Sequence, residues 1–554
     1  MSISDRNAVI WYADDGYDPE NKGLNGRRVA GASFLNGFFC HANVDEFVSL
    51  TKGSKSEAAF AKRLSQSGRD LPHRAVYTDA PGGMAPVGTL YYPSPNYAEQ
   101  CWLRQRFGMN AWSICGITHT TATTAVMQGM FDLRAGPQAE WDAVICTSKA
   151  VHAATSYNMD LAERHLRERF GKVPPRPQMP VIPLGIDCDA FAPDEKAGSA
   201  LRRRMGWGEK DIVVATLSRL VPYGKFDPGP LFLALQQAQS QLPKGTRLHM
   251  LACGIYGDTH SERVFDGCAR TLMPDVSYLH LDGMDATARK ETLSGADIFT
   301  FPIDNIQETF GLAPIEAMAA GLPVVTTDWD GMRDTISDEV GIRVPTTTVS
   351  GTHTGLESWR YQVGRQSYAQ YGNNASAMTA ADMPTMIRAF VDLATNPDLR
   401  ARMGADGRAR ARTLYDWSVV IPQMQDLWAE LSDIRAAAGV DKRRGPVPMA
   451  PSPMSLFRAY PTQQIKPAQG RFYATDNALD MEALYDARRF ETLKQFFEPA
   501  NRVTKVLEAL RAAGPGGADA DTLSAICNLP AIRVERACVF LMKYGLARHE
   551  DVTA

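Results

Sequence analysis

The chain has 554 residues, of which 44% are hydrophobic and 22% charged, with a formal net charge of -3. That length exceeds one hydrophobic core and predicts three or four units of roughly 150 residues each, while the near-balanced charge excludes binding to nucleic acid or anionic surfaces by bulk electrostatics. Nine scattered cysteines without a Cys-x-x-Cys pair predict reduced thiols in a cytoplasm and no structural zinc site. The charged start "MSISDRNAVIWYADDGYD" and the lack of a long apolar run predict neither a signal peptide nor a membrane span.

Along the chain, short apolar runs alternate with longer amphipathic stretches, the pattern of parallel strands crossed over by helices. The expected strands are "AVIWYA" (8–13), "AWSICGIT" (111–118), "AVICTS" (143–148), "DIVVATLS" (211–218), "RLHMLACG" (247–254), "DIFTFP" (297–302) and "LPVVTTD" (322–328). They fall into two series that break near "MPVIPLGIDCDAFAP" (179–193), which predicts one Rossmann-like domain over 1–200 and another over 201–413. A polar stretch at 346–379 carries Trp359, Tyr361, Tyr368 and Tyr371, and aromatics on such an insertion pack it down or line a groove. Residues 414–438 read as a helix closing the second half, with Trp417, Val420, Met424, Leu427, Trp428 and Leu431 near helical spacing. A linker rich in Pro and charge is expected over 439–490, and a small helical domain over 491–554.

One stretch concentrates the chemistry. In "QETFGLAPIEAMAAGLPVVTTD" (307–328), a loop leads from a strand into a helix that admits Pro314 in its first turn and ends at Gly321. Glu308 then sits at the carboxyl end of a parallel strand, where open sheets bind ligands, beside free N–H groups of Phe310, Gly311 and Leu312 that favour an anion or a hydroxyl-rich group. Glu316 lies about a turn into the helix. Two carboxylates so placed suit two vicinal diols of one ligand, such as a sugar and a ribose. The plainer alternative is a capping glutamate followed by a solvent-facing one.

"ETFGLAPIEAMAAGLPVVTTDWDGMRDTI" resembles the signature of the retaining glycosyltransferases of family 4, also called glycosyl transferases group 1, which have the GT-B fold. "SRLVPYGKFDPGPLFLAL", "VICTSKAVHAA", "VIPLGIDCDAFAP" and "LYDWSVVIPQMQDLW" resemble further family segments, in family order, over roughly residues 5–437. The resemblance implies a metal-independent hexosyltransferase with no cofactor, using a nucleoside-diphosphate sugar as co-substrate. It gives Arg219 and Lys225 to the leaving diphosphate, Glu308 to the sugar hydroxyls and Glu316 to the ribose, with Phe310, Gly311 and Leu312 also on the donor. Lys225 comes one residue later than in the family, with Gly224 as the extra residue. "NKGLNGRRVAGASFLNGFF" (21–39) is similar to the family's first Gly-rich loop, which makes Gly26 the point of close backbone approach to the donor, with Arg27 beside it. His119, just past a strand, falls where the family often has a histidine near the sugar.

Outside this core, the tail from about 500 has a winged-helix-like pattern. Its seven Lys and Arg against six Asp and Glu argue against nucleic acid as a partner and leave protein contact or dimerisation as its expected use. The locally basic "LAERHLRERFGKVPPRP" (161–177) allows peripheral contact with an anionic membrane, a solvated helix face being the plainer alternative. The acceptor is left open. A GT-B sugar phosphorylase, an epimerase, and a non-catalytic protein that binds sugar nucleotides are the competing readings.

Overall fold

The computed structural model describes residues 6–18, 26–222, 224–439, 445–466, 468–488 and 498–550. They divide into two compact units, Met1–Val447 and Pro448–Ala554. The first unit holds two six-stranded sheets, the second a two-stranded one.

Six strands form the first sheet: β1 (Val9–Trp11), β2 (Phe47–Thr51), β3 (His73–Tyr77), β4 (Thr89–Tyr92), β5 (Ser113–Ile117) and β6 (Ala143–Ile145). They lie in the order β3-β2-β1-β4-β5-β6 and every adjacent pair is parallel. The second sheet contains β7 (Asp211–Leu220), β8 (Arg247–Tyr256), β9 (Ser277–Asp282), β10 (Ile298–Phe301), β11 (Val324–Thr327) and β12 (Gly341–Val344). Its order, β12-β11-β10-β7-β8-β9, read from the other edge repeats the first sheet, and both follow the doubly wound arrangement with a crevice where the order reverses. All seven expected strands are present. β2, β3, β4, β9 and β12 were not foreseen, because their runs are short and broken by polar residues, some of which the fold satisfies locally. Ser49 of β2, for example, meets His73 Nε2 at 2.9 Å.

Three boundaries differ from the expectation. The helix Glu195–Met205 crosses position 200 but packs as a whole on the second half: Gly198 lies against the Ser294 backbone, and Arg202 holds Asp297 at 2.9 Å. The helix Trp417–Ala437 returns to the first half instead of closing the second. Its Trp417 indole N–H donates to Ser33 Oγ at 2.8 Å, its rings meet Phe34 and Phe38, and Arg435 Nη1 donates to Ser113 Oγ at 2.7 Å. The apolar positions were legible, but nothing in their spacing says which half they cover.

The linker is also shorter than the 439–490 expected, since the second unit starts at Pro448. Within it β13 (Thr346–Thr348) and β14 (Thr379–Ala381) have no part, as both belong to the first unit. Its own strands, β15 (Arg471–Ala474) and β16 (Ala547–Glu550), pair antiparallel over the helices Ala500–Ala513, Ala520–Cys527 and Ala531–Lys543. Phe472 and Met481, inside the expected linker, are core residues of this unit. Buried Glu498 gathers Arg502, Arg533 and Arg536, so three of the unit's basic residues are drawn onto one carboxylate.

The expected truncation point moves accordingly. A chain ending at Val447 retains the whole first unit and is expected to express as a folded monomeric species. One ending at residue 490 keeps Phe472 and Met481 without the helices that bury them, and exposes the unpaired edge of β15. Size-exclusion chromatography should show the longer fragment, and not the shorter, in aggregates.

Candidate active site

The carboxyl ends of both sheets in the first unit open into one cleft with a cavity volume of about 510 Å³. From the second half it is lined by Arg219 near the end of β7 and Lys225 just after it, by Glu308, Phe310 and Gly311 in the loop after β10, and by Leu312 and Glu316 in the following helix. The first half contributes His119 and Thr120 after β5, and Val29 and Ala30 of the helix Gly26–His41. Eight of the ten sequence-predicted site residues therefore share one wall or another of a single cleft. Gly26 and Arg27 open the helix Gly26–His41, and what surrounds these two residues lies outside the described part of the structure.

The local sequence builds this wall from glycine. Gly311 sits at the N-cap of the helix Leu312–Ala319 with φ 85°, a conformation costly for any other residue. At the end of β8, a Cβ on Gly254 would come 2.0 Å from the Ser218 carbonyl oxygen, so the cleft floor beside Arg219 is bare backbone. Ser218 Oγ, on that floor, is buried without a hydrogen-bond partner among the described residues.

The charges are sharply differentiated. Lys225 Nζ lies 2.5 Å from Glu308 Oε2, and the Gly311 N–H donates to Glu308 Oε1 at 3.2 Å. This corrects the expectation that the Gly311 N–H is open to a ligand anion: the carboxylate three residues before it takes that donor. Burial raises the Glu308 pKa, but the charge and hydrogen bond of Lys225 outweigh it and hold the carboxyl below its ordinary range. Glu316 has no such partner. Burial pushes it up to about 7, against a weaker opposing pull from Arg289. Arg219 is exposed and has no carboxylate at ion-pair distance among the described residues, leaving its guanidinium to face the cleft.

Sequence reasoning missed several participants. Arg289 lines the cleft from the helix Ala286–Gly295, where "ATARKETLSG" gives no signal. Tyr368 lines it from the insertion; lining a groove was one of the two uses expected of the aromatics there, but the sequence did not single out this ring. Asp330, adopting φ 46°, accepts from Ser148 Oγ at 3.3 Å across the two halves, and burial followed by the charge of Glu308 raises it to about 7. Beside it Thr147 Oγ1 donates to the Thr309 carbonyl at 3.3 Å, and the Lys149 N–H to Asp334 at 2.7 Å. Asp330 lies within the quoted signature, so only its role was out of sight.

Two Rossmann-like halves opening onto a shared cleft define a GT-B architecture. The chain matches the family model of glycosyl transferases group 1 over residues 199–377. It is 26% identical over 281 residues to the GDP-mannose-dependent alpha-(1-6)-phosphatidylinositol monomannoside mannosyltransferase of Mycolicibacterium smegmatis, a match covering 50% of this chain and 62% of that one. It is 30% identical over 251 residues to the D-inositol 3-phosphate glycosyltransferase of Geodermatophilus obscurus, covering 43% and 53%. The chain thus spans between half and two thirds of the length of these relatives. Among solved structures, sucrose-phosphate synthase from Thermosynechococcus elongatus superposes with a TM-score of 0.44 at 16% identity, covering 79% of this chain and 98% of that one.

The raised Glu316 pKa has a signed consequence for stability. Unfolded, the group ionises near pH 4.3; folded, it holds its proton to about 7. Its favourable contribution is complete below the lower value and is lost as pH rises through the upper one. Glu316→Gln, which keeps the shape without the charge, is therefore expected to stabilise the ligand-free protein at pH 8 by about 1–3 kcal/mol. The gain should shrink towards pH 5, as read from thermal melting across that range.

Proposed function

We propose that the chain is a glycosyltransferase that moves a hexose from a nucleoside-diphosphate sugar to a hydroxyl of an acceptor, with retention of the anomeric configuration. The observation that carries this reading is the opposition, within one cleft, of Arg219 and Lys225 to Glu308 and Glu316. Breaking the bond from the anomeric carbon to a diphosphate places negative charge on the leaving phosphate. Fixed cations lower that barrier without any reorganisation at the moment of reaction, and Arg219 suits a phosphate through its forked donors. In this reading no metal or other cofactor is required.

Lys225 is already paired with Glu308, so a donor enters by exchange: its phosphate takes Lys225 and its sugar hydroxyls take the released carboxylate. Glu316 accepts from the ribose diol, which needs the ionised form. Donor affinity is accordingly expected to rise as pH rises through about 7. His119, Gly26 and Arg27 stand on the first-half side of this proposal, near the sugar and phosphates.

GDP-mannose is the first donor to test, because the Mycolicibacterium relative's name states that it depends on GDP-mannose. An inositol-bearing acceptor, free or lipid-linked, is the first acceptor to test, because both relatives are named for inositol compounds. A lipid-linked one would be met at a membrane surface. No helix among the described residues is long and apolar enough to cross a membrane, but Lys149–Phe170 leaves Tyr157, Leu161 and Phe170 exposed beside Arg164, Arg167 and Arg169, a composition suited to peripheral contact. For the second unit we propose a winged-helix-like module that contacts protein, since Glu498 already engages Arg533 and Arg536 on its last helix.

Thermal-shift screening of nucleotides and their sugars identifies the donor, a ligand at 100 times its dissociation constant adding about 2.7 kcal/mol. NMR of the product then reads the linkage, and an inverted anomer would overturn the mechanism. Dependence on inorganic phosphate would show a phosphorylase, and product without acceptor an epimerase. Arg219→Ala is expected to lower kcat about a hundred- to a thousandfold. Glu316→Gln should chiefly raise the donor KM, by an amount corresponding to about 1.5–3 kcal/mol at most. Unchanged kcat in the arginine variant would refute the role assigned to it.

A further inference from the structure

The insertion between β12 and the helix Met383–Thr395 leaves and rejoins the second half through one antiparallel pair, with Thr346 of β13 opposite Ala381 of β14. Two helices, Gly355–Gln362 and Tyr368–Ala377, form the excursion. At its base Ser376 Oγ donates to Asp304 Oδ1 at 2.5 Å, in the loop that continues to Glu308. Its far side reaches the first half. Tyr361 OH accepts from the Thr124 N–H at 3.0 Å and donates to the Ala122 carbonyl at 3.2 Å. Tyr368 OH lies 2.8 Å from Thr120 Oγ1.

We propose that this insertion is a strap tying the loop of Glu308 to the loop of His119, and that Tyr368 is a positioning residue closing the reacting end of the cleft between them. Several observations converge on this. Both tyrosine hydroxyls are spent on residues 120–124, directly after His119, although phenols on a surface insertion have water as a partner. The Tyr361 ring is held by stacking on Tyr371, with centroids 4.3 Å apart and planes 9° from parallel, so its hydroxyl arrives with little freedom left to lose. Tyr368 shares the cleft with His119, Thr120, Arg219 and Glu308, and is the one side chain of the insertion that lines it. Its pKa is raised, first by burial, and feels both Arg219 and Glu308, which keeps the phenol neutral and able to donate. A bulky, neutral ring, held at that point by the bond between its hydroxyl and Thr120, excludes water from the anomeric carbon.

The role of Tyr368 rests on the glycosyl-transfer reading, whereas the strap does not, and two measurements separate them. Hydrogen exchange of the full chain reads the strap without any substrate. Tyr361→Phe keeps the stacked ring but removes the acceptor of the Thr124 amide, so that amide should exchange about two- to tenfold faster. Unchanged exchange at Thr124 overturns the strap. For the cleft, GDP-mannose is given without acceptor. Water then takes the mannosyl group as the bond from its anomeric carbon to the diphosphate breaks, leaving mannose, GDP and a proton. Tyr368→Phe and Thr120→Val should each raise this hydrolysis relative to wild type, with little change in donor KM. Equal hydrolysis in all three proteins overturns the positioning role. A wild type that turns over no sugar nucleotide sinks the transferase reading, and the positioning role with it, while exchange at Thr124 still decides the strap.

Discussion

An ammonium and a carboxylate held 2.5 Å apart at the end of a sheet, Lys225 and Glu308, set the conditions for the rest of the cleft. Their side chains are only 19% and 15% exposed, so each depends on the other: removing one partner of a buried pair leaves a charge without compensation, which typically costs about 3–5 kcal/mol. The carboxylate also takes the Gly311 N–H, which ties the left-handed turn and the start of the next helix to its ionisation. Its charge in turn raises the Asp330 pKa and is felt by Tyr368. A ligand that divides this pair therefore changes the electrostatics of two groups through which the second half touches the first, at Ser148 and Thr120.

The two glutamates of one motif end in opposite states for a simple reason. Both lie in a cleft that disfavours charge, and desolvation is the largest influence on each. Glu308 has a cation and a backbone donor in contact, whereas Glu316 has only the more distant Arg289. A carboxylate ready to accept from hydroxyls thus stands a helical turn or two from one that holds its proton to about 7. Binding a diol at Glu316 is coupled to losing that proton, whereas binding at Glu308 is coupled to losing Lys225. Spacing in the sequence is the same for any pair of residues eight apart; the distinction arises from what the fold brings to each.

This also marks how far the sequence could be read. The seven strands with unbroken apolar runs were legible because burial on both faces demands them. β2 was not, since Ser49 and Thr51 interrupt a fully buried strand: Ser49 is answered by His73 of β3, whereas Thr51 Oγ1 has no hydrogen-bond partner among the described residues. The motif around Glu308 could be located because strand, loop and helix are local signals, and Arg219 and Lys225 because they follow a strand directly. Arg289 and Tyr368 reach the cleft only through tertiary packing. Arg104 and Asp142, paired with no exposure at all, likewise look like surface charges in one dimension. The return of Trp417–Ala437 to the first half is of the same kind: helical periodicity reveals a buried face but not its neighbour.

The seams between the two halves differ in chemistry, and that difference bears on how the cleft works. On one side the helix Trp417–Ala437, which continues the chain from the second half, buries Trp417 and Trp428 among Phe34, Phe38 and Tyr91 of the first, and an apolar seam of large rings is costly to open because all of its area must be rewetted. On the cleft side the contacts are polar, made by hydroxyls, backbone groups and carboxyls: Thr147 on Thr309, Ser148 on Asp330, Lys149 on Asp334, and the two tyrosines on residues 120–124. Each one between neutral groups is worth only about 0.5–1.5 kcal/mol net, because water can replace it. The first seam is therefore the costlier to open, and the second is a set of latches that water or another polar group can exchange. A polar ligand can rearrange the latches by offering equivalent hydrogen bonds, without disturbing the packing that keeps the halves together.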